Sequence, residues 1–176
     1  MRIVSGKFRG RHFNPPKNIT ARPTTDFAKE SLFNLLQNRL DFDGLDVLDL
    51  FAGTGSIGLE FVSRGARSVM SVELAHTQQN FIISTCKSLG INNLTVIRGD
   101  VFKFLGTCQM TFDVVFADPP YALDTLAVLP DMVFSGQLLK QGGLFVLEHS
   151  AAYDFSQHEH FSEHRSYGNV HFTFFE

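Results

Sequence analysis

The chain has 176 residues, 44% of them hydrophobic, which allows one domain with a real core and excludes both disorder and two full domains. No apolar run approaches the roughly 20 residues that cross a bilayer, MRIVSGKFRG lacks the apolar core of a signal peptide, and Cys86 and Cys108 alone give no disulfide framework, so a reduced, cytoplasmic protein is expected. Net charge is −3, yet residues 1–30 carry +5 and the remainder −8, which reads either as a basic arm that docks a polyanion or as a solvated, locally basic surface.

RIVSGKFRGRHF alternates polar and apolar residues around two glycines and reads as a short basic hairpin. NPPKNITARP is loop. A helix follows from Thr25, with Thr24 or Thr25 as its cap, because Ala28, Leu32, Leu35, Leu36 and Leu40 recur at helical spacing. Asp41, Asp43 and Gly44 end it. Strands then alternate with helices: LDVLDLF, the helix GSIGLEFVSR, RSVMSVE, the helix AHTQQNFIISTCKSL, LTVIRGD, a helical turn VFKFLG, and FDVVFAD. Residues 124–140 read as helix with Pro130 as an interruption, and GGLFVLEH as a fifth strand. That alternation calls for a parallel sheet with helices on both faces and right-handed crossovers. In the tail, Tyr167-Gly168-Asn169 lies between two strand-like runs, so a final antiparallel hairpin is expected.

The fourth strand ends as FDVVFADPPY. Val114, Val115 and Phe116 suit a buried strand that delivers Asp118 to its carboxyl edge. Pro119 and Pro120 cannot continue the sheet, so the Pro119 carbonyl is left to accept from outside it. Two acceptors beside the flat ring of Tyr121 make a clamp for an amino group on a planar heterocycle. These ten residues alone also suit an ordinary strand-ending turn.

DLFAGTGSIG places Gly53, Gly55 and Gly58 in a GxGxxG run directly after a strand and opening a helix, the context of a nucleotide-type site. Glu73 ends the next strand, 20 residues after Gly53, where a ribose-binding acid is expected. Asp49, Glu73, Asp100 and Asp118 all fall at strand carboxyl ends, the edge along which open α/β sheets bind ligands. Four acids suit a pyrophosphate poorly. A cationic, ribose-bearing ligand such as S-adenosylmethionine, with its sulfonium and ammonium, fits better. One of the four is expected to serve merely as a helix cap.

With Asp118-Pro-Pro-Tyr121 behind that loop, the sequence resembles the amino-directed S-adenosylmethionine-dependent methyltransferases, whose signature is [DNS]-P-P-[YFW]. RIVSGKFRGRHF, RPTTDFAKESLFNLL, VLDLFAGTGSIGLEFVSRGA, FADPPY and SYGNVHFTFF further resemble, in order, the RsmD family of bacterial 16S ribosomal RNA guanine-N2 methyltransferases. The resemblance implies an α/β chain with a Rossmann-like class I methyltransferase fold. Its mostly parallel, seven-stranded sheet has helices on both faces and a C-terminal antiparallel hairpin, preceded by a short basic N-terminal β-hairpin extension. Residues 1–24 would form the extension and 25–176 the catalytic domain. It also implies that Asp49, Gly53 and Gly55 face the methionine moiety, Glu73 the ribose, and Asp100 with Val101 the adenine, with Phe51 also binding the cofactor. Asp118, Pro119, Pro120 and Tyr121 would hold the target base, with Asp118 also bordering the cofactor. Lys7, Arg9, Arg11, Lys17 and Arg22 would contact phosphates of 16S rRNA, within the small subunit or an assembly intermediate, and no metal or membrane is required. One departure is SAAYDFSQHEHF, too short and too poorly helical for the helix that usually precedes the final hairpin.

Two other classes share parts of this pattern. A DNA adenine-N6 methyltransferase has the glycine loop and clamp but usually a larger recognition region. A nicotinamide-dependent oxidoreductase has the loop but leaves Asp-Pro-Pro-Tyr unexplained. His149, His158, His160, His164 and His171 read as a solvated surface rather than a metal site. The 19 phenylalanines fill a core without tryptophan, with Phe8 and Phe13 alone placed beside arginines where they could stack on bases.

Overall fold

The computed structural model describes residues 1–16 and 26–176. Lys17, Arg22, the Thr24/Thr25 cap and the boundary at residues 24/25 lie outside the described residues. The elements are α1 (Asp26–Gln37), β1 (Asp46–Leu50), α2 (Ser56–Ser63), β2 (Ser68–Glu73), α3 (His76–Leu89), β3 (Leu94–Arg98), α4 (Val101–Leu105), β4 (Phe112–Ala117), α5 (Leu129–Ser135), β5 (Leu139–His149), β6 (Phe161–Tyr167) and β7 (Val170–Phe175).

The apolar runs in the first five strands pair in parallel, and β7 runs antiparallel to both β5 and β6, giving one seven-stranded sheet in the order β3-β2-β1-β4-β5-β7-β6. Strand order reverses between β1 and β4, and that switch point opens a crevice at the strand carboxyl ends. One face of the sheet is covered by Leu32, Phe33 and Leu36 of α1 and Ile57 and Phe61 of α2, packed on Val114, Phe116, Val146 and Phe172. The other is covered by α4 and α5 on Leu48, Leu50, Val115, Phe145 and Leu147. Phenylalanine does fill this core: the Phe33 and Phe61 rings meet edge-on at 4.8 Å, and Phe172, Phe174 and Phe175 are fully buried.

The amino-terminal hairpin is reduced to one antiparallel bridge, Arg2 to His12, flanked by the Ile3 N–H to the Arg11 carbonyl at 3.0 Å and the Phe13 N–H to the Met1 carbonyl at 2.9 Å. Residues between them close by the Gly10 N–H to the Ile3 carbonyl at 2.9 Å and the Arg9 N–H to the Gly6 carbonyl at 3.1 Å, and also turn onto α2. The Val4 and Ser5 amides donate to the Glu60 carboxylate at 2.8 and 2.9 Å, and the Phe8 amide donates to Ser63 Oγ at 2.9 Å. A Cβ on Gly6, at φ 79°, would lie 1.8 Å from the Ser63 carbonyl oxygen, so only glycine permits this approach. Phe8 and Phe13 are partly buried against Ile3 and Leu59 rather than presented as free stacking faces.

Two helical expectations change. The first helix stops at Gln37, before Leu40. Between residues 124 and 140 a single 3₁₀ turn, Leu126–Val128, leads into the short α5, and Pro130 sits in its first turn, where the missing N–H has no helical partner to lose. β5 begins at Leu139, bulging through Gly142 at φ 74° between its pairings with Phe112 and Val114. No helix stands between β5 and β6. Aromatic packing takes its place: Tyr153 stacks on Phe155, which meets Phe175 edge-on, and His160 stacks on Phe134 at 3.7 Å. The histidines are therefore not simply a solvated surface. His149 is wholly buried and within 2.7 Å of Thr173 Oγ1 through Nε2, while His158 lies edge-on to Phe175. Among the described residues no group of three or more His, Cys, Asp or Glu is placed to hold a metal ion, and no helix is long and apolar enough to cross a membrane.

Candidate active site

The crevice is assembled from strand tips and the turns that leave them. After β1 the chain swings into left-handed backbone, Phe51 at φ 58° and Gly53 at φ 54°, before Gly55 at φ 75° caps α2. A phenylalanine held there costs on the order of 1–3 kcal/mol and persists only when its surroundings over-determine it. Here two contacts do so. The Phe51 ring meets Phe102 edge-on at 6.2 Å, and the Gly53 N–H donates to Glu73 Oε2 at 2.7 Å. Glu73 also accepts the Ala75 N–H through Oε1 at 2.8 Å, so one carboxylate ties the glycine loop to the turn after β2.

Gly55 and Gly58 serve packing. A Cβ on Gly55 would sit 2.8 Å from Ile82 Cγ1 of α3, and one on Gly58 would sit 2.9 Å from Ser71 Oγ and 3.0 Å from Asp49 Oδ2. Bare glycine lets the Gly58 N–H donate to Asp49 Oδ2 at 3.1 Å. Gly55 is absent from the cleft wall, whereas Asp49, Phe51, Gly53, Glu73, Asp100, Val101, Asp118, Pro119, Pro120 and Tyr121 all line it. Asp100 is the expected helix cap: it accepts the Lys103 N–H at the start of α4 at 3.0 Å.

This cleft encloses about 640 Å³, the size of a nucleoside-type ligand. Among the described residues its wall carries five acids, Asp49, Glu73, Asp100, Asp118 and Glu148, and neither lysine, arginine nor histidine. The fifth acid was missed from sequence, although it closes the apolar run of β5 as the others close theirs. Glu148 is 4% exposed, and Tyr121 donates its hydroxyl to Glu148 Oε1 at 3.1 Å.

Crowding of like charges shows in Asp49. Burial pushes its carboxyl up to about 7, with the Asp118 and Glu73 charges adding to the rise against the Gly58 and Ser71 hydrogen bonds. An acid raised in the fold holds a proton that the unfolded chain has already lost between about pH 4 and 7. Stability contributed by Asp49 therefore falls as pH rises through that window, by at most about 1.4 kcal/mol per pH unit. His149, held below its ordinary value by burial, works in the opposite direction below pH 6.5. The expected result is that Asp49→Asn, whose amide oxygen still accepts from Gly58, gains stability relative to wild type as pH rises from 4 to 7. Urea unfolding of both proteins across that range checks it, and a constant difference would refute the assignment.

Behind the wall, Lys29 of α1 reaches Ser56 Oγ at 3.0 Å, and Ser56 lines the cleft. Lys7 and Arg9 lie elsewhere. The Lys7 N–H donates to the Ser63 carbonyl at 2.7 Å, at the far end of the eight-residue α2 from Ser56. That is roughly 10 Å along the helix.

Strand order, an antiparallel final pair and a glycine loop at the switch point define the class I methyltransferase fold. The chain belongs to the family described as Conserved hypothetical protein 95, whose model it matches over residues 1–176. It is 35% identical over 153 residues to the Bacillus subtilis protein YlbH, covering 85% of this chain and 82% of that one. It is 34% identical over 152 residues to Ribosomal RNA small subunit methyltransferase D of Haemophilus influenzae, covering 84% and 78% respectively. A structure of a hypothetical protein from Thermus thermophilus superposes with a TM-score of 0.88 at 31% identity, covering 100% of this chain and 99% of that one.

Proposed function

We propose that this protein transfers a methyl group from S-adenosylmethionine to the exocyclic N2 of a guanine in 16S ribosomal RNA. The observation that carries the reading is the cleft whose charged lining residues, among the described residues, are all acidic and which Asp118-Pro-Pro-Tyr121 borders. The name of the Haemophilus influenzae relative supports small-subunit ribosomal RNA as the substrate.

The residues present suit the cofactor. Asp49, buried beside the glycine loop, and the other cleft acids offer a cation counter-charge, and Glu73 and Asp100 offer acceptors for hydroxyl and amino groups. When bound, S-adenosylmethionine would supply a methyl carbon on a sulfonium, whose carbon–sulfur electron pair would remain on sulfur after transfer. The chain's own task is to prepare the nucleophile. Guanine N2 is poor because its lone pair is delocalised into the ring. If Asp118 and the Pro119 carbonyl each accept one N–H, the nitrogen lone pair turns toward the methyl carbon for in-line attack. Tyr121 stacks on a base taken out of its helix, a contact worth roughly 1–3 kcal/mol. One N–H proton leaves the methylated nitrogen, to Asp118 or to water.

The test is tritiated methyl transfer to small subunits and naked 16S RNA from cells lacking this protein, with duplex DNA alongside, followed by mapping of the modified nucleotide. Transfer to DNA adenine in place of RNA would overturn the reading, and binding of NAD in preference to S-adenosylhomocysteine would overturn the class.

Arg9, Arg11 and Lys17 are assigned to phosphates, which position RNA without reading it. With Lys7 and Arg9 far along α2 from the cleft, the RNA footprint extends well beyond the target base. Neutralising Arg9, Arg11 and Lys17 together is expected to weaken RNA binding and to lower the slope of log K against log salt by about 2–3. Filter binding at several salt concentrations measures it, and an unchanged slope removes the assignment.

A further inference from the structure

We propose that Glu148 is the residue that selects guanine, by accepting the N1–H of the target base; this rests on the reading of the cleft as a guanine-N2 methyltransferase site. The geometry begins with strand register. Ala117 of β4 pairs with Leu147 of β5, so Asp118 and Glu148 are the next residues on two neighbouring strand tips. Adjacent strands lie about 4.8 Å apart, which sets two carboxylates side by side along one wall of the cleft. Both line it, and Glu148 is 4% exposed, whereas the Tyr121 ring beside it is 38% exposed and open for a base to cover. The Tyr121 hydroxyl at 3.1 Å holds one carboxylate oxygen and fixes the plane of the group relative to the stacking ring.

A base stacked on Tyr121 with its amino nitrogen at Asp118 and Pro119 presents its next edge atom toward β5. In guanine that atom is N1, which carries a hydrogen. In its ionised form the Glu148 carboxylate only accepts, and in that form it pairs with the N–H. In adenine, held by its own amino group, the neighbouring N1 carries a lone pair, and it would face another acceptor on a carboxylate that is itself buried. Buried polar sites reject substrates that leave their groups unpaired more strongly than apolar pockets reject a misfit. Asp118-Pro-Pro-Tyr121 recognises an amino group as such, and Glu148 supplies the distinction between bases that the clamp lacks.

The experiment uses 16S RNA ligated from fragments so that the mapped guanine alone is replaced by 2,6-diaminopurine or 2-aminopurine. Both keep the N2 amine and lose the N1 hydrogen. Wild-type enzyme is expected to prefer guanine by about 10- to 100-fold in kcat/KM, the cost of losing one hydrogen bond to a charged group. Glu148→Gln, whose amide can donate to a bare N1, is expected to lower that preference at least tenfold by raising the relative rate on 2,6-diaminopurine. N2-methylated and N6-methylated nucleosides are distinguished by mass spectrometry, and S-adenosylhomocysteine binding reports that the variant is folded. A wild-type enzyme that methylates the three RNAs equally, or a variant that keeps the wild-type preference, overturns the role of Glu148 while leaving methyl transfer intact. A wild-type enzyme inactive on guanine RNA overturns the functional reading itself, and this proposal with it.

Discussion

Asp118→Ala is expected to lower methyl transfer at least ~10³-fold while leaving S-adenosylhomocysteine affinity within a few-fold of wild type. The size of the loss comes from two tasks removed together: turning the amino group toward the donor, and offering an acceptor for its proton. Asp118 stands at the tip of β4, with Glu73 at the tip of β2 and Asp49 within β1 between them, so the cofactor keeps its other contacts. One secondary effect follows from charge: without Asp118, the buried Asp49 loses a like-charged neighbour and its carboxyl falls somewhat, while burial, the larger cause, still holds it raised. Cofactor binding by the variant should then be less sensitive to pH near 7. Asp118→Asn divides the two tasks, since its amide oxygen still accepts one N–H but takes a proton poorly. A loss of only about tenfold in the asparagine variant assigns Asp118 to orientation, whereas a loss equal to that of alanine assigns it to proton acceptance. Single-turnover transfer measured beside calorimetric cofactor binding separates these outcomes, and an alanine variant with full activity would remove Asp118 from the chemistry.

The parallel strands could be read from sequence because each is a short, mostly apolar run with an acid or a glycine at its end, and they alternate with helices. Those signals are local. Asp49, Glu73, Asp100 and Asp118 were legible by the same rule, and Glu148 obeys it too: GGLFVLEH carries its acid at the sheet's carboxyl edge. What stayed hidden depends on contacts between distant residues. Glu60 sits within GSIGLEFVSR, where a lone carboxylate on a helix ordinarily faces water, yet it is fully buried because Val4, Ser5, Arg64 and Lys29 converge on it. Lys29 is likewise 1% exposed within what reads as an ordinary amphipathic helix. His149, His158 and His160 were misjudged as solvated because rings with both an apolar body and a polar edge pack where a helix would stand beside β5, and only their neighbours reveal it.

Glu60→Ala is expected to be the most damaging single change outside the cleft, costing about 3–5 kcal/mol, the usual penalty for stranding a buried charge. Glu60 accepts from the Val4 and Ser5 amides at 2.8 and 2.9 Å and from Arg64 Nε at 2.9 Å, and its Oε2 lies 3.8 Å from the Lys29 ammonium. Burial already lowers the Lys29 pKa, and Glu60 is the largest influence opposing that fall. Without it the lysine keeps the Ser56 hydroxyl, the Arg2 carbonyl and the weaker pull of the Asp26 charge. For a chain of this size the loss corresponds to a melting point lower by roughly 10 °C. Glu60→Gln, which still accepts with one oxygen, should fall between. Replacing the pair together, Glu60→Leu with Lys29→Met, should recover part of the stability by removing both buried charges, but not the protection of the Val4 and Ser5 amides. Hydrogen exchange at those two amides is the decisive measurement, because they report whether the basic segment is still fastened to α2. If it is released, RNA affinity drops while cofactor affinity holds. A Glu60→Ala protein that melts with wild type and keeps both amides protected would show that the segment is held by its apolar side chains, Ile3, Phe8 and Phe13, and that Glu60 merely fills the space beneath it.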